Sequence, residues 1–153
     1  MKITDYLTPE LVIAELEESA KEEALKRLAA GVTEVFPKLS EEKILTVLRD
    51  REALGSTGIG GGIAIPHGKM AELEKIIVLF ARSQRGVEFA AVDGQPVHLF
   101  FLLLAPENSA GIHLKTLARI SRMLKNRDFC DKLLESVDGL SLFAMIKLED
   151  ERP

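Results

Sequence analysis

Two continuous apolar runs constrain the fold of this 153-residue chain more than any other feature. Residues 76–82 and 97–104 are rich in Ile, Val, Phe and Leu, and they lack the polar alternation of strands that have one face in water. Such runs indicate β-strands that are buried on both faces, which requires helices on each side of the sheet. A turn is predicted before the second strand, where residues 93–96 read Asp-Gly-Gln-Pro.

Helical spacing of apolar residues occurs on both sides of this central region. The first helix is predicted from a capping box between Ser19 and Glu22 to about Ala30, with Gly31 as its cap. A short strand near residues 11–16 is expected to lead into it.

Four more helices complete the predicted pattern. One begins after Ser40 and ends at Leu54, and the last two span about 128–136 and 140–148. The remaining helix is expected over 110–126, with one face formed by Leu114, Leu117, Ser121 and Leu124. These elements predict an α/β (α+β) chain, folded as a three-layer α/β/α sandwich with a small mixed sheet flanked by helices.

Composition and charge exclude several classes of function. No linker or repeat divides the sequence, which predicts one domain over 1–153 with a core of about 5–148. Twenty Lys and Arg against 24 Asp and Glu give a net charge of −4, which argues against binding to nucleic acid or anionic membranes. The start lacks the long apolar segment of a signal peptide, and the longest strongly apolar run, 99–105, is too short to cross a bilayer. We therefore predict a cytoplasmic protein without membrane insertion.

A glycine-rich segment at 55–62 holds five glycines in eight positions and is not expected to be helical. Backbone amides in such a segment can converge on an anion, and the hydroxyls of Ser56 and Thr57 add donors. No Gly-Lys-Ser/Thr follows, so the segment is not a P-loop, and the dinucleotide-binding pattern is incomplete. An ordinary flexible loop remains an alternative. The segment opens into an extended run, 63–68, which is expected to place His67 where a strand ends.

Three histidines and one arginine are the candidates for chemistry. Pro66 fixes the backbone before His67, which leaves either an exposed reactive ring or an ordinary surface histidine in a turn. His113, near the start of its helix, is either a structural histidine or a second imidazole for a bound phosphoryl group. Arg51 is either a solvated helix residue or a guanidinium for a phosphate. His98 lies in an apolar strand and is interpreted as structural.

Metal and thiol chemistry are not indicated. The histidines lack the short spacings of a dedicated zinc site, and no Gly-x-Ser-x-Gly motif supports serine hydrolysis. The single cysteine, Cys130, excludes an intramolecular disulfide and is interpreted as a small buried apolar residue.

Residues 51–69 closely resemble the active-site motif of enzyme IIA domains of the fructose/mannitol class. These domains belong to the bacterial phosphoenolpyruvate-dependent phosphotransferase system. The likeness continues through 91–97, 103–106 and 111–117. Gly61 stands where some mannitol-type members carry an acidic residue, which favours the fructose or nitrogen-regulatory subgroups. Residues 56–60 and 67–69 look most like the nitrogen-regulatory enzyme IIA.

The resemblance implies a phosphoryl carrier that needs no cofactor, metal or nucleotide. His67 is the implied acceptor, through Nε2, of a phosphoryl group from HPr or its nitrogen-branch counterpart. Arg51 and His113 are implied to flank the phosphoryl group, with Ser56 and Thr57 as secondary donors. A regulatory carrier of this kind acts on partners such as sensor kinases or ion transporters.

Two alternatives to a regulatory carrier remain. One is a sugar-transport enzyme IIA that passes phosphate to an enzyme IIB, and the other is a binding module that kept the fold and lost the chemistry. Arg51, His67 and His113 together argue against the second alternative.

Overall fold

A six-stranded mixed sheet forms the middle layer of the protein, whose computed structural model describes residues 1–153. In chain order its strands are β1 (Val12–Ile13), β2 (Gly58–Gly60), β3 (Ile63–Ala64), β4 (His67–Met70), β5 (Ile77–Val87) and β6 (Val97–Pro106). The two apolar runs form the central antiparallel pair β5–β6, in which Phe80 lies opposite Phe101. β1 pairs in parallel with β5, while β3 and β4 both pair in parallel with β6, and β2 closes the far edge antiparallel to β3.

Five helices cover the two faces of this sheet. They are α1 (Lys21–Val35), α2 (Glu41–Ala53), α3 (Ala110–Leu124), α4 (Arg127–Glu135) and α5 (Gly139–Asp150). Leu79 and Arg82 of β5 point to opposite faces because side chains alternate along a strand. Leu79 lies beside Gly31 of α1, whereas the Arg82 guanidinium donates to the carbonyls of Leu133 and Ser136 at the end of α4. The predicted three-layer α/β/α sandwich with a mixed sheet is confirmed.

The first helix differs from its prediction at both ends. It begins at Lys21, and the capping box between Ser19 and Glu22 is wrong because the chain there is extended. The Ser19 carbonyl accepts the Glu88 amide at 2.9 Å. Gly31 does not end the helix either, since it lies buried inside α1, which continues to Val35. Tertiary packing against the sheet therefore overrides both local signals.

The second helix agrees with its prediction, because the Ser40 hydroxyl accepts the Lys43 amide at 3.2 Å and caps α2. The predicted apolar face of α3 is only partly buried, because Leu124 is buried and Leu117 packs against the core while Leu114 does not. Leu114 is 67% exposed, and the buried face runs through His113, Thr116, Ile120 and Met123. The correct face therefore includes a histidine that a purely apolar pattern omits.

Cys130 lies half-buried in α4, where its thiol contacts the Leu124 carbonyl at 3.3 Å. Burial raises the pKa of this thiol above its ordinary value, which disfavours the reactive thiolate. No helix has the length and apolar character needed to cross a membrane.

Candidate functional site

The glycine-rich segment forms a hairpin between β2 and β3 and is not a loose loop. Its turn, Gly60–Gly62, has three successive residues with positive φ, a conformation that glycine adopts without strain. Asp93 holds this turn by accepting the Gly61 amide at 3.0 Å and the Gln95 amide at 3.1 Å. These two hydrogen bonds keep the pKa of Asp93 below its usual value, and the bond from Gln95 has the larger effect. The Gly61 amide is therefore directed to a carboxylate of the chain itself.

His67 begins a strand and does not end one, contrary to the sequence prediction. The extended run along β6 is interrupted at Ile65 and Pro66, between β3 and β4. Pro66 has no amide hydrogen to donate, although its carbonyl accepts the Leu103 amide at 2.9 Å. The interruption sets the Ile65 carbonyl beside the imidazole that follows it.

Two hydrogen bonds fix the ring of His67 in one tautomer. Nδ1 lies 2.8 Å from the Ile65 carbonyl oxygen, which can only accept, so Nδ1 carries the hydrogen. Nε2 then presents its lone pair, and it accepts the Nε–H of Arg51 at 3.2 Å. These contacts favour the tautomer in which Nε2 is the nucleophilic nitrogen, and the side chain is half-buried.

Arg51 reaches this ring from the last turn of α2. Its Nη1 donates to the Gly55 carbonyl at 2.8 Å, which ties the guanidinium to the start of the glycine-rich segment. Helix α2 packs on β4 because Gly68 has no side chain at a point where a Cβ would overlap Val47. Val47 and Arg51 are one helical turn apart, so the same close approach brings Arg51 to His67.

Substituting Gly68→Ala is expected to destabilise the fold by about 1–3 kcal/mol, because the added methyl group forces α2 away from β4. Urea unfolding measures the free-energy change. The double variant Gly68→Ala with Val47→Ala should recover part of the loss, since the two side chains compete for one space. Losses that simply add in the double variant would contradict this contact.

His113 supplies a second imidazole from the first turn of α3. Its ring centroid lies 5.7 Å from that of His67, with the rings nearly perpendicular at 75°. The residue is only 6% exposed, and its Nε2 is buried without a hydrogen-bond partner. Burial is the main cause that lowers the pKa of His113, and repulsion from His67, when that ring is protonated, and from Lys69 adds to it. His113 is therefore held in its neutral form.

The free energy of unfolding is expected to fall as the pH drops below 6.5, the ordinary pKa of histidine. In that range the histidine of the unfolded chain binds a proton, whereas buried His113 of the folded protein stays unprotonated to a lower pH. The stabilisation that comes from neutral His113 is fully present above pH 6.5, and it is lost as the pH falls through the lower pKa of the folded state. Urea unfolding of the wild type and of His113→Gln between pH 7.5 and 5.5 should show a shallower decline in the variant. Parallel pH profiles would exclude this linkage.

The predicted phosphate donors Ser56 and Thr57 do not offer free hydroxyl hydrogens in this structure. Ser56 Oγ donates to the Phe89 carbonyl at 3.2 Å and accepts the Gly58 amide at 3.0 Å. Thr57 is 3% exposed, and its Oγ1 donates to Glu52. Both hydroxyls are occupied in holding the glycine-rich segment, so the structure does not place them as secondary donors.

The structure brings Arg51, His67 and His113 together, while His98 has a different environment. Nδ1 of His98 lies 2.8 Å from the Ser83 carbonyl within the sheet, which agrees with a structural histidine. Sequence reasoning missed Glu52, whose buried carboxylate binds Thr57. One signal was present, because Glu52 continues the i, i+4 stripe of Ile44 and Leu48 on the buried face of α2.

A histidine phosphoryl carrier is the class of protein that this sandwich and this group of residues fit. The sequence model of the family described as "Phosphoenolpyruvate-dependent sugar phosphotransferase system, EIIA 2" matches residues 5–148, and the chain belongs to this family. The family resemblance inferred from the sequence is thereby confirmed.

Relatives of this family occur in both its regulatory and its transport branches. The chain is 46% identical over 148 residues to the nitrogen regulatory protein of Bradyrhizobium diazoefficiens, covering 97% of this chain and 96% of that protein. It is 37% identical over 139 residues to a fructose-specific EIIA component of Haloferax volcanii, covering 89% and 90%. The crystal structure of the nitrogen regulatory protein IIA-Ntr from Neisseria meningitidis superposes with a TM-score of 0.87 at 31% identity, covering 94% of this chain and 98% of that one.

Proposed function

We propose that this protein accepts a phosphoryl group on Nε2 of His67 and acts as a regulatory, nitrogen-related enzyme IIA. The observation that carries the proposal is the pair of hydrogen bonds on the His67 ring. The Ile65 carbonyl accepts a hydrogen bond from Nδ1–H, and this leaves Nε2 as the nitrogen with a lone pair beside Arg51.

The proposed chemistry is an exchange of one N–P bond for another. The Nε2 lone pair of His67 attacks the phosphorus of a phosphohistidine, and the donor nitrogen leaves with the electron pair of the breaking bond. The His67 ring becomes cationic as Nε2 bonds to phosphorus, and the Ile65 carbonyl stabilises it by accepting from Nδ1. Arg51 and His113 flank the phosphoryl group, and catalysis consists of positioning and charge stabilisation.

The proposed donor is a small protein carrier, phospho-HPr or its nitrogen-branch counterpart, in the cytoplasm. Support comes from exposed apolar side chains beside the site. Leu54 follows Arg51 by three residues, and Leu114 directly follows His113. Ile59 and Val92 are drawn together because the Val92 amide donates to the Gly58 carbonyl at 2.9 Å. Exposed apolar side chains this close in the chain to Arg51 and His113 suit docking of another protein better than binding of a free sugar.

Labelling with phosphoenolpyruvate, enzyme I and HPr, or nitrogen-branch HPr, tests the proposal. The expected product is one phosphate per chain that is labile in acid and stable in base. No labelling with either donor, or an acid-stable phosphate, would refute a phosphohistidine carrier and favour a silent binding module of the same fold.

A transport role as an enzyme IIA that feeds an enzyme IIB is the second candidate, and the similarity to a fructose-specific EIIA component favours it. The two roles differ in the fate of the phosphate. When phosphorylated protein is mixed with candidate IIB domains, rapid and quantitative loss of label supports transport. Retention of label, with binding to a sensor kinase or an ion transporter that depends on phosphorylation, supports regulation.

A further inference from the structure

The carboxylate of Glu52 is buried and fully engaged at the end of α2. Glu52 is 9% exposed, and one of its oxygens accepts both the Lys21 ammonium at 2.9 Å and the Thr57 amide at 3.0 Å. The other oxygen accepts the Thr57 hydroxyl. The ammonium of Lys21 also lies 4.8 Å from the centre of the Phe89 ring. A carboxylate with three donors fixes the peptide group of Thr57 with respect to two helices.

A continuous path of hydrogen bonds joins this carboxylate to the His67 ring. The Thr57 carbonyl accepts the Ile65 amide at 3.0 Å, across the β2–β3 hairpin. The Ile65 carbonyl then accepts Nδ1–H of His67 at 2.8 Å. From this path we infer that Glu52 is a positioning residue, which sets the tautomer and orientation of His67 through Thr57 and Ile65.

The positioning role of Glu52 depends on the Ile65 carbonyl, which accepts the hydrogen bond from the His67 ring. That carbonyl can hold the hydrogen on Nδ1 only while its own strand stays in register, and Thr57 is the hydrogen-bond partner of Ile65. Glutamine in place of Glu52 keeps one acceptor oxygen and places an NH₂ group against the Lys21 ammonium or the Thr57 hydroxyl. One of the bonds to Thr57 or Lys21 is therefore lost, and the hairpin relaxes. The ring then gains access to the tautomer with hydrogen on Nε2, which removes the nucleophilic lone pair. The consequence for transfer rests on the proposed function, whereas the consequence for the tautomer does not.

Glu52→Gln is expected to shift neutral His67 toward the Nε2–H tautomer and to slow phosphoryl acceptance about tenfold. Correlation spectra of the ¹⁵N-labelled imidazole, recorded where the ring is neutral, report the tautomer without any phosphate. Acceptance from phospho-HPr reports the rate. If the wild type accepts no phosphate while the variant still changes the tautomer, the proposed function fails and the positioning role stands.

Asp150→Asn is a matched control because Asp150 has the same set of partners away from this path. Its carboxylate accepts the amide and hydroxyl of Thr4, at 3.0 and 3.1 Å, and the Arg119 guanidinium at 2.7 Å. This variant should lose stability and keep the His67 tautomer.

Thr57 provides a second pair of variants that does not alter the carboxylate. Thr57→Ser retains both donors and should behave like the wild type, whereas Thr57→Val should resemble Glu52→Gln. An unchanged tautomer in both Glu52→Gln and Thr57→Val would overturn the inference, even if transfer slowed. A tautomer shift in Asp150→Asn as large as that in Glu52→Gln would overturn it as well.

Discussion

His67→Ala is expected to abolish labelling of the protein by phosphoenolpyruvate, enzyme I and HPr. The expected loss is complete because the neighbouring imidazole of His113 is only 6% exposed and does not face an incoming carrier freely. The Ser56 and Thr57 hydroxyls donate their hydrogens to protein acceptors. No general base is placed to activate Ser56, and Thr57 is buried, so neither oxygen is a replacement nucleophile. Acid-labile phosphate per chain is the quantity to measure.

His98→Gln is the control for the His67 variant. The His98 ring is hydrogen-bonded to the Ser83 carbonyl inside the sheet. The substitution therefore removes a histidine that is not part of the proposed site. Full labelling is expected in this variant, with circular dichroism to verify that both variants fold. Label that persists in His67→Ala would assign the acceptor role to another residue and refute the proposed mechanism.

The fold was predictable where burial leaves a pattern in the sequence. The strands β5 and β6 are buried on both faces along most of their length, and continuous apolar runs record this directly. The cap at Ser40 was predictable as well, because its hydrogen bond to Lys43 involves only local residues. Local rules failed at Ser19 for the opposite reason, since its carbonyl pairs with Glu88 in a distant part of the chain.

The site was predictable as a set of residues but not as a hydrogen-bond network. The resemblance named Arg51, His67 and His113, and the fold places the two rings and the guanidinium together. It also named Ser56 and Thr57, whose hydroxyls turn inward to protein acceptors. The direction of a hydroxyl depends on which acceptor the tertiary structure brings near, and the sequence pattern holds no information on it.

Arg51→Ala is expected to slow phosphoryl acceptance by about 10²–10³-fold, the usual cost of removing one donor to a developing negative charge. In the unphosphorylated protein the Nε–H of Arg51 occupies the lone pair of His67 that must attack. That bond has to break before transfer, and the guanidinium is then free to neutralise the phosphoryl oxygens. Removal of Arg51 therefore exposes Nε2 but costs more in the transition state than it gains in the ground state.

Comparison of Arg51→Lys with Arg51→Ala separates the charge of Arg51 from its geometry. Arg51→Lys keeps a cation and loses the planar fork, so we expect a rate between those of the wild type and Arg51→Ala. Arg49→Ala is the matched control on the same helix, because Arg49 pairs with Glu22 at the exposed surface. Stopped-flow or quench-flow transfer from phospho-HPr measures all three rates. A rate for Arg51→Ala equal to that of Arg49→Ala would remove Arg51 from the reaction and leave its bond to His67 as a purely structural contact.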